Sequence, residues 1–292
     1  MDIRVICSVP GRATALLLLL CLATPSQGGL GDLLNQLIPP RVKCERSLVE
    51  QALTEYLVAL TAQSPANLAV TDDVKFTENG HELNLGDGHL WPYAGEILMR
   101  RQAIDTQQCA AAAQVVVERK GGKAILGVRL QLQDSLISEI ETLYVAPGFF
   151  FAAPWVLLHS SLPEWEESLP GSRRSTPVAL RAYADTYFNG LDTSGTRDYI
   201  PVPFADDCNR WENGIQTTFN NCAGQLKTTP FNVLQTGITH RRFPVMDTEM
   251  GIVVAFGNFT NVWSMMEMFL IRDAKIQKIQ AVMVPWIGTT GW

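Results

Sequence analysis

The sequence predicts an α+β fold built twice in tandem. Ile137-Ser-Glu-Ile-Glu-Thr-Leu-Tyr-Val145 aligns with Ile276-Gln-Lys-Ile-Gln-Ala-Val-Met-Val284 at an offset of 276 − 137 = 139, and the same offset sets Asp134 on Asp273, each just ahead of its strand. Glu78-Asn79-Gly80 aligns with Glu212-Asn213-Gly214 at 212 − 78 = 134. In each half an amphipathic helical stretch precedes a run of strand-like segments, and segregated helices and antiparallel strands are the mark of an α+β unit.

The first helix spans Ser47 to Leu60, with Leu48, Ala52, Tyr56 and Leu60 near helical spacing. Its counterpart runs from Pro177 to Phe188 with Val178, Leu180, Tyr183, Ala184 and Tyr187 on one side. Ser47 and Thr176 suit the cap position, and Pro177 suits a first helical turn. An extended piece broken at Asn-Gly follows in each half; the dipeptide signals a turn without proving a hairpin. Tyr93 to Ile104 reads as a second helical or irregular stretch. Long strands close each half: Gln114–Glu118, Ala124–Gln133 and Leu136–Val145, then Gly237–Val245, Gly251–Thr260, Met265–Arg272 and Ile276–Val284. The connector, Phe149 to Pro170, is too apolar to be a free linker and is expected to pack across both halves.

The chain of 292 residues has a formal charge of −6, is 47% hydrophobic and 18% charged, so it is a folded, mildly acidic protein rather than a disordered one. A basic surface for nucleic acid is not expected. Arg4 and Arg12 precede an apolar run from Ala13 to Ala23, which is followed by Thr24, Pro25, Ser26 and Gln27. This is the layout of a secretory signal peptide over residues 1–28, cleaved between Ala23 and Gly29, and the run is shorter than the ~20 residues that span a bilayer. Four cysteines remain: Cys44, Cys109, Cys208 and Cys222. An even number in an oxidising compartment favours two disulfides among three pairings. Cys208 and Cys222 can close a local loop, leaving Cys44 with Cys109; buried thiols or a metal site are the rival reading, without a Cys-x-x-Cys or His spacing behind it. Asn258-Phe259-Thr260 is a glycosylation sequon, expected at a strand end or turn.

Several chemistries lack their motif. There is no Gly-x-Ser-x-Gly elbow, His81-Glu82 has Leu85 where a zinc helix needs its second His, and Gly86-x-Gly88 lacks the third glycine of a dinucleotide turn. No metal or cofactor is indicated. Cys208-Asn209-Arg210-Trp211-Glu212-Asn213-Gly214 gathers a cation, an indole, an acid and an amide. It is either a pocket rim for a planar ligand or a disulfide-stapled turn whose polar groups satisfy the backbone. His89, Trp91 and Tyr93 either line a pocket of the first half or simply pack. His240 and Arg242 share one face of a predicted strand and point inward together or form a surface pair. Glu139 and Glu141 are most simply solvated; an inward, buried carboxyl would have a raised pKa and could donate a proton.

The element order resembles the cone-shaped fold of nuclear transport factor 2 and the SnoaL-like cyclases, in which a curved sheet wraps helices around a pocket. The resemblance implies two tandem NTF2/SnoaL-like cone units at residues 41–146 and 175–292, joined by a connector at 147–174. Lys75-Phe-Thr-Glu-Asn-Gly80, Cys208 through Thr218 and Arg241-Arg-Phe-Pro-Val245 are similar to segments of a secreted fungal family of tandem units, a family known mostly as a domain of unknown function. It includes the hetero-Diels–Alderases of tropolone sesquiterpenoid pathways such as those to eupenifeldin and xenovulene. What this implies is cofactor-free chemistry. A hydroxymethyl tropolone loses water to give a quinone methide, which adds across an alkene of a humulene-type sesquiterpene. A dry cavity that holds both partners would supply most of the acceleration. On this reading Arg242 or Arg210 holds the tropolone oxygens, His240 or Glu212 assists loss of water, and Trp211, Trp91 and Tyr93 wall the terpene, with Asn213 and His89 as further substrate contacts. The expected partners are small, apolar or planar molecules, with a homodimer possible. A secreted ligand-binding module, or another cyclase, isomerase or dehydratase, fits the same sequence.

Overall fold

Apolar residues at helical spacing bury Val49, Ala52, Leu53, Tyr56, Leu57 and Leu60 along α1, Arg46–Thr61. The computed structural model describes residues 44–160, 163–228 and 237–292; the predicted presequence, residues 1–28, lies outside them. Ser47 is inside α1 rather than its cap, and Glu45 at the cap makes no side-chain bond. A disulfide from Cys44 to Cys109 and a backbone bond from Cys44 N to Thr106 O at 2.9 Å fix the helix start instead. The predicted cap holds on α3, Pro177–Asp192, where Thr176 Oγ1 accepts Ala179 N at 3.2 Å ahead of Pro177. A second disulfide joins Cys208 to Cys222, the first residue of the short helix α4, Cys222–Thr228.

Each Asn-Gly is a two-residue hairpin turn. Asn79 and Gly80, with φ of 49° and 84°, join β1 (Val70–Glu78) to β2 (His81–Leu83). Asn213 and Gly214, at 47° and 82°, join β7 (Phe204–Glu212) to β8 (Ile215–Thr218). Positive φ at both central residues matches the right-handed twist of the flanking strands. The asparagines have a second task. Asn79 Oδ1 accepts Tyr144 N at 2.7 Å and its Nδ2 donates to Tyr144 O at 3.1 Å. Asn213 makes the same pair with Met283, at 2.8 and 2.9 Å. Each side chain thereby adds a rung to a parallel strand pair.

The remaining strands are β3 (Ala94–Asp105), β4 (Ala110–Arg119), β5 (Gly122–Gln133) and β6 (Leu136–Val145), then β9 (Ile238–Asp247), β10 (Ile252–Phe259), β11 (Trp263–Arg272) and β12 (Lys275–Pro285). They form two six-stranded sheets of identical order, β2-β1-β6-β5-β4-β3 and β8-β7-β12-β11-β10-β9. Among the described strands only β1–β6 and β7–β12 are parallel. The molecule is α+β with two sheet units. One expectation fails at Tyr93 to Ile104: after a single 3-10 turn at Trp91–Tyr93 this stretch is the edge strand β3. Its partner β4 starts four residues earlier than predicted, at a run of alanines buried on both faces. Alanine has little strand preference of its own, and the double burial overrides it.

Four layers result. Helix α1 packs on one face of the first sheet with Phe76, Trp91, Val115 and Leu126. Helix α3 packs likewise on the second sheet with Phe204, Val253, Phe269 and Ile279. The outward faces of the two sheets close on each other through Ala103, Ala112, Val116 and Leu143 against Val245, Val254, Met266 and Val282. Leu157 of α2 (Pro154–His159) and Trp165 join this inter-sheet core, so the connector packs at the seam. The seam is complementary rather than symmetric. At Gly127 a Cβ would lie 3.0 Å from the Met266 side chain, and those two positions are related by the 266 − 127 = 139 offset of the repeat.

A further expectation changes at this seam. Glu141 is not solvated: it is 3% exposed, accepts Arg129 Nε at 3.1 Å, and takes a two-pronged pair from Arg242 at 2.6 and 3.1 Å. The alternation of β6 aims it at the second sheet, which supplies the cation. Asn258 is the penultimate residue of β10, at a strand end as expected, but it is 0% exposed, its Oδ1 accepting Asn261 N at 2.7 Å and its Nδ2 enclosed.

Candidate functional site

Strand alternation puts charge under α3. On β11, Met265, Phe269 and Ile271 face the helix, and Glu267 stands among them at 0% exposure. On β7, Arg210 and Glu212 point the same way, beside Ile279 and Ala281 of β12. Tyr187 descends from the buried side of α3. Arg210 pairs with Glu212 through Nη1, and its Nη2 lies 3.5 Å from Glu267 Oε1. Tyr187 Oη donates to that same Oε1 at 3.5 Å. Arg210 Nε and Glu267 Oε2 are buried with no partner. Glu212 is the most accessible of the three charged side chains, at 15%.

The first unit supplies the comparison. Phe76 pairs with Ile140 as Arg210 pairs with Ile279, and Val128 pairs with Thr142 as Glu267 pairs with Ala281. The positions of Arg210 and Glu267 are thus phenylalanine and valine in the first unit, where Tyr56 instead bonds Thr142 at 3.1 Å. Glu78, in the place of Glu212, accepts the backbone amides of His89 and Leu90 at 2.7 and 3.0 Å. Trp91 fills the remaining space, edge-on to Tyr56 at 5.8 Å and to Phe76 at 6.4 Å. Both interiors hold a phenol and an acid at the Asn-Gly turn; the first is otherwise closed with rings and aliphatic side chains, and the second adds a cation and a further buried acid.

Burial sets the proton affinities. Desolvation raises the Glu267 carboxyl to about 7, against the opposing pull of Arg210. Burial holds the Tyr187 phenol well above its ordinary range, against the opposing pull of Arg210 and with smaller help from Glu267 and Glu212. Desolvation disfavours the Arg210 cation, but Glu212, Tyr187 and Glu267 outweigh it and its pKa is raised. The cluster thus offers a fixed cation beside a carboxyl that exchanges protons near neutrality.

The residues singled out from the sequence are only partly brought together. Arg210 and Glu212 meet in the cluster. Trp211 is buried on the opposite face of β7, beside Gln280. Asn213 is 0% exposed and committed to Phe151 O and Met283. Trp91 is core, whereas Tyr93 is 43% exposed under the guanidinium of Arg119, and His89 contributes its carbonyl to Arg119. His240 and Arg242 do not face inward together. His240 has φ 53°, and the ladder between β9 and β10 shifts register around it. Such a bulge breaks alternation. His240 is left exposed near the Trp286 ring at 5.7 Å, Arg242 turns to Glu141 at the seam, and Arg241 reaches Asp185 and Asp192.

Glu267 and Tyr187 are the members that motif reading passed over. Tyr187 was legible only as a buried helix position. The available signal for Glu267 was a lone acid in Met265-Met-Glu-Met-Phe-Leu270, since a charge on a strand with both faces buried needs a partner. Among the described residues no group of three or more His, Cys, Asp or Glu is placed to hold a metal ion, and no helix is long and apolar enough to cross a membrane.

Comparisons with known proteins add the following. Residues 173–283 match the profile of a domain of unknown function, DUF8021. A de novo designed protein with a curved β-sheet is 18% identical with a TM-score of 0.31, covering 36% of this chain and 91% of its own. A protein assigned as a polyketide cyclase from Silicibacter sp. tm1040 is 16% identical with a TM-score of 0.28, covering 41% of this chain and 98% of its own. No curated protein matches.

Proposed function

We propose that this protein is a cofactor-independent enzyme whose second unit moves protons on a small, largely apolar substrate. The observation that carries the reading is the contrast between the two interiors: Arg210 and Glu267 replace Phe76 and Val128, and each keeps a buried polar atom without a partner. Natural cores rarely leave such atoms unpaired. A substrate with an oxygen to receive Arg210 and a hydroxyl to receive Glu267 would satisfy both.

The reaction class is dehydration coupled to ring closure, and the hetero-Diels–Alder reaction implied by the tropolone resemblance falls within it. Protonated Glu267 gives its proton to the hydroxymethyl oxygen, which leaves as water. The tropolone hydroxyl gives its proton to the Glu212 carboxylate, and the quinone methide results. Arg210 holds the tropolone oxygen and stabilises charge there. Cycloaddition then forms one carbon–carbon and one carbon–oxygen bond, and exchange of the proton from Glu212 to Glu267 resets the pair for the next turnover. Proton transfer of this kind contributes typically 10²- to 10⁴-fold, and a carboxyl titrating near the working pH is best suited to it.

The test is a cofactor-free assay with a hydroxymethyl tropolone and a humulene alcohol, read by chiral chromatography with mass detection. The expected result is faster formation of one stereoisomer than in a boiled control, with activity falling above pH about 7 as Glu267 loses its proton. A product mixture equal to the uncatalysed one would reject this substrate pair.

A further inference from the structure

Away from the cluster under α3, a cleft of about 600 Å³ runs along the open edge of β3. Because it follows an edge strand, consecutive residues line it. Arg100 comes from the side facing α1, and Met99 and Arg101 from the side facing the second sheet. Trp165 and Met250 complete the apolar wall.

The donors in this cleft are under-used. Arg100 gives Nη1 to Thr54 Oγ1 at 2.9 Å, while its Nε and Nη2 are buried with no partner. Arg101 is 8% exposed and bonds only the neutral Gln114 Oε1, at 2.6 Å, with its guanidinium 5.2 Å from the Trp165 ring. The Trp165 Nε1 hydrogen also lacks a partner. Neither arginine forms an ion pair among the described residues. Burial pushes the Arg101 guanidinium down to about 10, only partly offset by Glu166, which also lines the cleft without bonding either arginine, and by Glu164. The one acid that lines the α1 side, Glu50, is engaged by Gln102 Nε2 at 2.6 Å. Among the other buried arginines described, Arg129 pairs with Glu141 and Arg210 with Glu212, while Arg272 directs its nitrogens to the carbonyls of Met250, Glu164 and Glu167; Arg100 and Arg101 have neither arrangement. A buried cation without an anion is costly and is normally paired.

We infer that this cleft is a second binding site, for an organic anion whose carboxylate meets Arg100 and Arg101 and whose apolar body lies against Met99, Trp165 and Met250. The volume suits a ligand of a few fused rings, and guanidinium groups favour the planar carboxylate over a neutral oxygen. The site is independent of the chemistry under α3.

Calorimetric titration of the full mature chain with three probes of one shape tests this: 1-naphthoate, 1-naphthamide and 1-naphthylmethylammonium. The expected result is saturable one-to-one binding of naphthoate, with the amide and the ammonium each at least about tenfold weaker, the loss expected for a charge-assisted hydrogen bond. R100Q changes a half-buried side chain and should fold; R101M removes the deeper cation. Each should weaken naphthoate by about tenfold or more, and E267Q should leave it unchanged. Equal or tighter binding of the ammonium, no naphthoate binding up to millimolar concentration, or unchanged affinity in folded R100Q would overturn the proposal. Loss of naphthoate binding in E267Q would place the anion at the other site and equally overturn it.

Discussion

Asp105 and Asp247 each clasp the other's strand. Asp105 Oδ2, at the end of β3, accepts Met246 N at 2.9 Å; Asp247 Oδ2, at the end of β9, accepts Ile104 N at 2.8 Å. Both carboxylates are about fully enclosed, at 2% and 1% exposure. Each also caps its own turn, Asp105 over Gln107 and Gln108, Asp247 over Glu249 and Met250. The reciprocal exchange is the polar counterpart of the apolar seam between the sheets. It also means that each sheet's outer face is occupied by its tandem copy.

D105A and D247A should therefore destabilise the whole chain, because each strands amides in a buried place. The cost of a buried unsatisfied group is roughly 1–3 kcal/mol. D247A should be the more damaging, since Arg46 donates to Asp247 through two nitrogens at 3.0 and 2.8 Å and would keep only its looser contact with Glu249 at 3.8 Å. Urea unfolding monitored by tryptophan fluorescence measures both.

Gly127 and Met266 make a second, apolar test of the seam. A methyl at Gly127 would press on the Met266 side chain, and overpacking of this kind costs about 1–3 kcal/mol. M266A alone should leave a cavity and cost about 2–5 kcal/mol. The double variant G127A/M266A should be more stable than the sum of the two losses implies, because the added methyl occupies vacated space. A double-mutant cycle from denaturant melts reads this coupling; strict additivity would mean the two residues do not share the site.

The raised Glu267 pKa makes stability depend on pH. The folded state holds the proton up to about 7 while the unfolded carboxyl releases it near 4.5. Protonation therefore favours the folded chain, and this contribution is fully present below the unfolded value. It is lost as pH rises through about 7, by ~3 kcal/mol at most. Thermal melts between pH 4.5 and 8 should show Tm falling across that window in the wild type, and E267Q should flatten the fall.

Reduction of the two disulfides should not be equivalent. Cys44–Cys109 closes a separation of 65 residues and Cys208–Cys222 one of 14. Loop-closure arguments assign about 4 kcal/mol to the longer and about 3 kcal/mol to the shorter. C44A/C109A should accordingly melt lower than C208A/C222A, and it should also fray the start of α1, read as faster amide exchange over that helix.

Much of the fold was legible because the repeat is carried by its periodic parts. Helix α3 with its Thr176 cap, strand β6 to the residue, and both cysteine pairings follow from spacing and local preference. Strand β3 was not legible, since its residues carry no clear alternation and its partner begins with alanines; double burial, a tertiary fact, decides it. The site was harder to read. The Glu-Asn-Gly motif drew attention by recurring, yet it recurs because Asn79 and Asn213 add rungs to parallel strand pairs. A bulge at His240 broke the alternation that would have set His240 and Arg242 on one face. Glu267 sits at a position where the repeat differs, opposite Val128, so matching the copies concealed it. Differences between copies, read on the buried face, were the more useful signal.

The most direct test of the central claim compares the two interiors in one assay. Turnover of a hydroxymethyl tropolone with a humulene alcohol would be measured for the wild type, E267Q and E78Q, each checked for folding by circular dichroism. If the second unit carries the chemistry, E267Q loses about 10²-fold or more, while folded E78Q, altered only at a turn-holding carboxylate of the first unit, keeps wild-type turnover. Full activity in E267Q, or loss in E78Q alone, would contradict the account.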